Sequence, residues 1–234
     1  MVMEMAMVVA ETVNEVTEGP FAAVGFSAEE MNELRIAAWM HDIGKITQQE
    51  WIVDKPTKLT TIYDRIDLLR TRMDFIRSAT ENELLRRKVE LLEAGRPVPA
   101  QLDEEYGRRI ELIADESRFL ERVNEPGEFM EKEDLARLRE IASKTFPVSD
   151  GEQTYLTDDE LENLSIRKGS LTQDEFQKIK DHASMSIKML GQIPFTRKLS
   201  QVPAIAGAHH EKLDGSGYPL GLKAEEIGLQ ARIL

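Results

Sequence analysis

The sequence contains no cysteine. Disulfide scaffolds, thiolate zinc sites, iron–sulfur clusters and cysteine nucleophiles are excluded together, and the chain suits a reducing compartment. Positive charge is also scarce: 30 Lys and Arg stand against 43 Asp and Glu, a formal charge of −13 at pH 7, and no basic residue precedes Arg35. A duplex nucleic acid needs a basic face for its phosphates and is excluded as a partner. A small phosphate ester held in a local cationic or metal-filled pocket is not. No apolar run approaches the ~20 residues of a membrane span, and the apolar start Met1–Ala10 lacks the basic flank of a secretory signal. A cytoplasmic protein without membrane association is the expectation. The phosphate loop GxxxxGK[ST], the zinc motif HExxH and the nucleophile elbow GxSxG are all missing. Ser216 sits in a Gly-Ser-Gly turn with no helix directly after it, so it reads as turn chemistry.

What is present is helical period. The 234 residues, 41% apolar and 31% charged, suffice for one large domain or two small ones. Met1–Glu15 reads as a helix that begins without a cap, as though cut from a longer chain. Ser27-Ala-Glu-Glu30 is a capping box opening a helix through Met31, Leu34, Ala37, Ala38 and Met40, which ends at His41-Asp42-Ile43-Gly44-Lys45. From about Pro56 the character changes. Ile62, Ile66, Leu69, Met73 and Ile76 form a stripe that Leu85, Val89 and Leu92 resume, with dense charge on the other faces. After the breaker Gly95–Pro99 a second charged helix places Leu102, Tyr106, Ile110, Ile113, Leu120 and Val123 on one side, and a third runs from about Met130 to Ala142.

Two long helices joined by a short breaker most economically form an antiparallel hairpin; a dimerising coiled coil is the alternative, disfavoured by the few and interrupted heptads. Phe146–Gln153 reads as a polar loop. Thr157–Glu160 and Thr172–Glu175 are further capping boxes, the second opening a helix with Phe176, Ile179, Ala183, Ile187 and Leu190 inward and carrying His182. Pro203–Glu211 reads as a short helix bearing His209 and His210, and Asp214–Pro219 as a glycine-rich turn. The fold class is all-α.

The chain has four histidines, His41, His182, His209 and His210. His182 alone would read as a structural residue, but a His-Asp pair and a His-His pair in one chain suit a metal. Imidazole nitrogens with a carboxylate oxygen favour iron, manganese, zinc or nickel, and a carboxylate can bridge two ions. Each residue also has a purely structural reading. Asp42 could cap or pair with Lys45, His209 and His210 could be polar helix-end residues, and Gly215, Gly217 and Pro219 a tight turn. Glu211 could either accept from a histidine N–H or be solvated.

The segments AAWMHDIGKI (37–46), RKGSLTQDEFQKIKDHASMSIKML (167–190) and HHEKLDGSGYPLGLKAEEIGLQARIL (209–234) resemble the HD-GYP family, a branch of the HD superfamily of metal-dependent phosphohydrolases. HDxGK and HHExxDGxGYP stand in the family's order, and all four histidines fall on its motif positions. The resemblance implies an all-helical HD-type domain around two or three metal ions, iron or manganese with zinc or nickel as alternatives. It implies hydrolysis of a cyclic dinucleotide, above all cyclic di-GMP, by metal-activated water. Carried over, His41, Asp42, His182, His209 and His210 are the metal ligands, with Asp42 the bridge. Asp42 and Lys45 are catalytic, Lys45 lies near a substrate phosphate, and Gly217, Tyr218 and Pro219 form the substrate loop.

Three departures accompany the resemblance. The family uses an aspartate on the helix after ARIL, beyond Leu234, so the chain by itself is expected to bind metal weakly. Some members use a glutamate and a histidine on the first helix, where only Glu4, Glu11 and Glu15 are available. His41 and His182 are also separated by far more chain than usual, which reads as an HD-GYP-like domain over residues 1–55 and 167–234 interrupted by a projecting antiparallel, coiled-coil-like insertion over 56–166. Other readings are an HD phosphohydrolase of another nucleotide, and a catalytically silent module holding a diguanylate cyclase or sensor-domain partner, or a second copy through the insertion.

Overall fold

The computed structural model describes residues 1–127 and 129–234. It is 60% helical, with a single two-stranded sheet among the described residues, which settles the all-α class. In chain order the elements are α1 (Val2–Glu15), α2 (Ala28–Met40), α3 (Glu50–Val53), α4 (Ile66–Glu93), α5 (Ala100–Asn124), α6 (Lys132–Ala142), β1 (Thr145–Val148), β2 (Gly151–Thr154), α7 (Asp158–Leu164), α8 (Gln173–Leu190), α9 (Val202–Gly207) and α10 (Leu229–Ile233). Short 3₁₀ turns occupy Ile43–Thr47 and Arg197–Leu199. No helix among the described residues is long and apolar enough to cross a membrane. The chain divides into two compact units, Met1–Val53 with Gln173–Leu234, and Asp54–Thr172.

In the first unit α1 packs on α2, α2 on α9, α9 on α8, and α10 on both α1 and α9. The expected capping box starts α2: Ser27 Oγ accepts from the Glu30 N–H and the Glu30 carboxylate accepts from the Ser27 N–H at 2.8 Å. The core is rich in alanine, with Ala6, Ala10, Ala37, Ala38 and Ala206 buried beside Leu34, Leu190, Val202 and Ile205. Small side chains let short helices approach closely, so the unit gains burial from backbone proximity rather than from bulk. On α8 Ala183 and Leu190 face inward as expected, but Phe176 is 44% exposed. Its ring instead lies under the ammonium of Lys180, one turn further along the helix.

In the second unit α4 and α5 form an antiparallel pair across a turn that includes Gly95 at φ +65°. Ion pairs lace the two helices: Arg70 with Glu121 at 2.8 Å, Glu83 with Arg109 at 3.0 Å, and Lys88 with Asp103. Partner numbers fall on α5 as they rise on α4, as an antiparallel register demands. The inner half of the apolar stripe is buried at Ile66, Leu69, Met73 and Ile76, against Ile113, Phe119, Leu120 and Val123. Three expectations are corrected here. Ile62 lies before the helix and is 90% exposed. Leu85, Val89 and Leu92 are also exposed, because the stretch of α5 opposite them offers only Leu102 and Tyr106 as large apolar side chains among polar, charged and small residues. The supposed polar loop 146–153 is a β-hairpin, β1 pairing with β2 from Thr145↔Thr154 to Val148↔Gly151 around Ser149–Asp150. Its strands are too short to show alternation, and Gly151, at φ +134°, takes the backbone conformation that an L side chain rarely adopts at the first residue after the Ser149–Asp150 turn.

The helix α7 begins with the second expected capping box, Thr157 with Glu160. Glu160 also receives both terminal nitrogens of Arg72, at 2.6 and 3.0 Å, and its side chain is only 3% exposed. Burial raises its pKa, but the Arg72 and Thr157 hydrogen bonds outweigh that and hold it below the ordinary glutamate value. A group depressed in this way stabilises the fold above its unfolded pKa and loses that contribution as the pH falls through the folded one. Arg72→Met, which strands the carboxylate, is expected to cost about 3–5 kcal/mol at pH 7. The gap to the parent chain should narrow below pH 4, read by urea unfolding at both pH values. A constant gap would show that packing of the Arg72 stem, not the ion pair, carries the effect.

Candidate metal centre

The centre is assembled where α2 ends. His41 and Asp42 follow Met40, and the 3₁₀ turn Ile43–Thr47 then runs against α8. The approach is so close that a Cβ on Gly44 would lie 2.0 Å from the His182 carbonyl oxygen and 2.7 Å from the Ser186 nitrogen. Only glycine leaves room there. Buried Ser186 completes the joint: its hydroxyl accepts from the Gly44 N–H and donates to the His41 carbonyl, each at 2.9 Å. The HD turn and the helix carrying His182 are thereby tied by hydrogen bonds on both sides of Asp42. On α9, Gly207 packs against Ile187 of α8, and the turn that follows delivers His209 and His210.

The five expected ligand residues converge. Asp42, His182, His209 and His210 each offer a ligand atom within 4.8 Å of one another. Asp42 Oδ1 is 3.2 Å from His182 Nε2 and 3.7 Å from His209 Nε2, and these two nitrogens are 3.4 Å apart. His41 sits on the other side of the carboxylate, its Nε2 3.1 Å from Asp42 Oδ2. The His210 ring centre lies 4.1 Å from that of His209 and 5.1 Å from that of His182. Glu4, Glu11 and Glu15 are exposed on α1 and are not part of the cluster.

Backbone carbonyls set the tautomers. Nδ1 of His41 faces the Ala38 carbonyl at 2.8 Å, Nδ1 of His209 that of Ala206 at 2.6 Å, and Nδ1 of His182 that of Ile179. A carbonyl can only accept, so each Nδ1 carries the hydrogen and each neutral ring presents an Nε2 lone pair to the centre. Asp42 Oδ1 is buried with no hydrogen-bond donor among the described residues. Lone pairs facing one another across 3–4 Å without an intervening proton are costly in a buried site. A divalent cation with affinity for imidazole and carboxylate relieves that cost, and the donor set fits iron, manganese, zinc or nickel.

The charge states agree with this fit. Burial pushes the Asp42 carboxyl up, but His209 and His41, when their rings also carry a proton on Nε2, and Lys45 pull it far below the usual carboxylate range, so it is ionised. Burial, reinforced by His209 and His182, lowers His210 to about 4, and burial lowers His182 too. Both rings are neutral donors near neutral pH. His41 is raised instead, chiefly by Asp42 against its Nε2, so it is the ring that holds a proton most readily.

Lys45 reaches back to Asp42 Oδ2 at 2.8 Å, the local pairing open to it from sequence, while its side chain stays 41% exposed. The glycine-rich loop is organised by Glu211, whose carboxylate accepts from the N–H groups of Leu220, Gly221 and Leu222 at 2.7, 3.1 and 2.9 Å. Neither sequence reading of Glu211 covers this anchoring role. At Gly217 a Cβ would fall 2.3 Å from the Lys212 nitrogen, so the loop closes back on the histidine segment. Tyr218 stacks on His210 at 4.6 Å with 23° between the planes, its N–H donates to the His210 carbonyl, and Pro219 follows a cis peptide bond. The loop thus meets the metal cluster through Tyr218. Ser186, the anchoring role of Glu211 and Lys180 were not singled out in the sequence. Lys180, with its ammonium 5.1 Å from both the Tyr218 and Phe176 ring centres, leaves a trace only as Phe176-x-x-x-Lys180 on the helix of His182. Ser186, on that helix one turn after His182, leaves none.

The HD domain family matches residues 158–234. Among curated proteins, the chain is 39% identical over 83 residues to a probable cyclic di-GMP phosphodiesterase of Vibrio cholerae, covering 31% of this chain and 18% of that protein. It is 34% identical over 124 residues to the cyclic di-GMP phosphodiesterase response regulator RpfG of Xanthomonas campestris, covering 50% of this chain and 30% of that protein. It is 38% identical over 68 residues to the 3'3'-cGAMP-specific phosphodiesterase 3 of Vibrio cholerae, covering 29% of this chain and 14% of that protein. The chain therefore spans less than a third of the length of these relatives. No solved structure matches it.

Two substitutions probe the scaffold of the centre without touching a ligand. Gly44→Ala is expected to cost more than the usual 1–3 kcal/mol of overpacking, because its methyl meets backbone, and to weaken metal uptake through displacement of Asp42 from His182. Glu211→Gln puts an amide donor where the carboxylate accepts. Hydrogen exchange at residues 220–222 should then quicken by about tenfold or more, while exchange in α8 stays unchanged. Unaltered exchange at 220–222 would show that the loop holds its shape without that carboxylate.

Proposed function

We propose that this chain, a member of the HD-GYP family of HD domains, carries the metal-dependent centre of a phosphodiesterase that hydrolyses a cyclic dinucleotide, with cyclic di-GMP as the substrate. The observation that supports this reading above others is the orphaned Asp42 Oδ1 at the meeting point of the histidine Nε2 lone pairs. In this reading residues 1–55 and 167–234 are the phosphohydrolase part, and 56–166 is an inserted helical unit.

The two oxygens of Asp42 face different histidines, Oδ2 toward His41 and Oδ1 toward His182 and His209. Asp42, together with His41, His182, His209 and His210, would hold two or three iron or manganese ions. When bound, such cations supply Lewis acidity toward the phosphodiester and toward water at neutral pH. The chain's own residues position the substrate. Lys45, part exposed and beside Asp42, offers a point charge to a non-bridging phosphate oxygen. Tyr218, held flat on His210, bounds the site with an aromatic wall, and the Glu211-anchored loop keeps that wall in place. The relatives carry names for cyclic di-GMP and for 3'3'-cGAMP phosphodiesterases, and both substrates present phosphodiester bonds within a dinucleotide ring, so both belong in the assay.

The test loads the chain anaerobically with Fe(II) or Mn(II), measures retained metal, and follows linearised product from each cyclic dinucleotide. Asp42→Ala and His182→Ala are expected to lower metal retention by at least about tenfold and to abolish any turnover. Full retention in both variants would remove the metal reading. Turnover of neither substrate by a fully loaded chain would favour the silent module.

Metal uptake should also depend on pH with a definite sign. A cation must displace the proton from His41, whose pKa lies above the ordinary histidine value, so affinity should rise with pH through and above that value. It should not wait on His210, which is already neutral above about 4. Titrations of Mn(II) binding between pH 5 and 8, with His41→Gln as the comparison, check this. A flat profile in the parent chain would rule out a proton on His41.

A further inference from the structure

The second unit contains a cleft of about 810 Å³ walled by α4, α5 and β1, within the size range of small-molecule sites. Its composition is not that of leftover packing space. On one side Phe75, Phe146 and Tyr155 form a chain of edge-to-face ring contacts at 5.9 and 6.0 Å. Phe75, at the open end of that chain, is 51% exposed, so an aromatic face is left without a partner beside the cleft. The other side carries charge. Arg109 lies over the Tyr106 ring and pairs with Glu83 at 3.0 Å, and Arg87 pairs with Glu90 at 3.0 Å. Arg86, between them in the lining, forms no ion pair among the described residues. The lining thus holds three guanidinium groups against two carboxylates. In a chain of net charge −13, a local cationic surplus beside a free aromatic face is out of character with the rest of the surface.

We propose that this cleft is a binding site for a small molecule with a flat aromatic body and one acidic group. The body would stack against Phe75, and the carboxylate, sulfonate or phosphate would take the guanidinium of Arg86. The hydroxyls of Ser78 and Ser149 on the lining add hydrogen-bond partners that a polar ligand can use. The site lies wholly within residues 75–155 and uses none of the metal-centre residues. It gives the inserted unit a function of its own, independent of the reading of the metal centre.

The test uses the full chain and a matched pair of fluorescent probes: 1-anilinonaphthalene-8-sulfonate and its uncharged analogue N-phenyl-1-naphthylamine. The sulfonate is expected to saturate a single site. Ala79→Trp, which fills the cleft from α4, and Ser78→Trp, at an exposed position of the same helix, should each weaken binding about tenfold or more. Circular dichroism confirms that each variant is folded, and the exposed position covers the case in which Ala79→Trp is not. Arg86→Ala should weaken the sulfonate about fivefold and leave the uncharged probe unchanged, and Arg86→Lys should recover part of the loss. Sulfonate binding untouched by a folded tryptophan variant would place the probe elsewhere and overturn the proposal. Equal loss of both probes in Arg86→Ala would overturn its acidic-ligand part, since the arginine would then act through packing.

Discussion

The cluster of Asp42 and the four histidines depends on one close approach, that of the Gly44 backbone to the backbone of α8. His41 and Asp42 lie on one side of it and His182 on the other, and no side chain is interposed. A side chain of even one carbon at position 44 would hold the two elements apart, and carboxylate and imidazole would no longer share a centre. Ser186 turns proximity into registration, since its hydroxyl bonds to the backbone at both His41 and Gly44. With that joint fixed, the alanine-rich packing of α2, α8 and α9 brings His209 and His210 to the same point.

Around the joint, the backbone does most of the electrostatic preparation. Carbonyls three residues earlier hold the protons of three histidines on Nδ1 and turn Nε2 inward. The carboxylate stays ionised, while burial keeps His182 and His210 from protonating near neutral pH. Donors aimed inward without protons form a site whose natural occupant is a cation. The glycine-rich loop is organised by the opposite device: an anionic side chain, Glu211, gathers three backbone N–H groups and so holds Tyr218 against His210.

The second unit draws its stability from different sources. A long antiparallel helix pair is laced by cross-helix ion pairs of modest value at the surface, and a buried Arg72–Glu160 pair secures the start of α7. The apolar stripe of α4 continues past the point where α5 can answer it. Its outer leucines and valine stay exposed, while the β-hairpin and its aromatic residues close over the inner part. Burial there is set by what lies opposite, not by the stripe itself.

Much of this protein is legible in the residues alone. Helix periods and capping boxes are local, because 3.6-residue spacing and a Ser or Thr three residues before Glu act within one turn. They locate α2, α7 and the helix pair with little error. Four of the five clustered residues, His41, Asp42, His209 and His210, are legible too, because the motifs HDxGK and HHExxDGxGYP are short and contiguous. What the sequence could not carry is whatever depends on distant partners. That His182 faces Asp42 across a long stretch of intervening chain, that position 44 must be glycine because of α8, and that Glu211 binds loop amides all follow from long-range contacts. Phe176 and the stretch from Leu85 to Leu92 were misread for the same reason. A periodic apolar residue is buried only if another element covers it, and that is decided by tertiary structure.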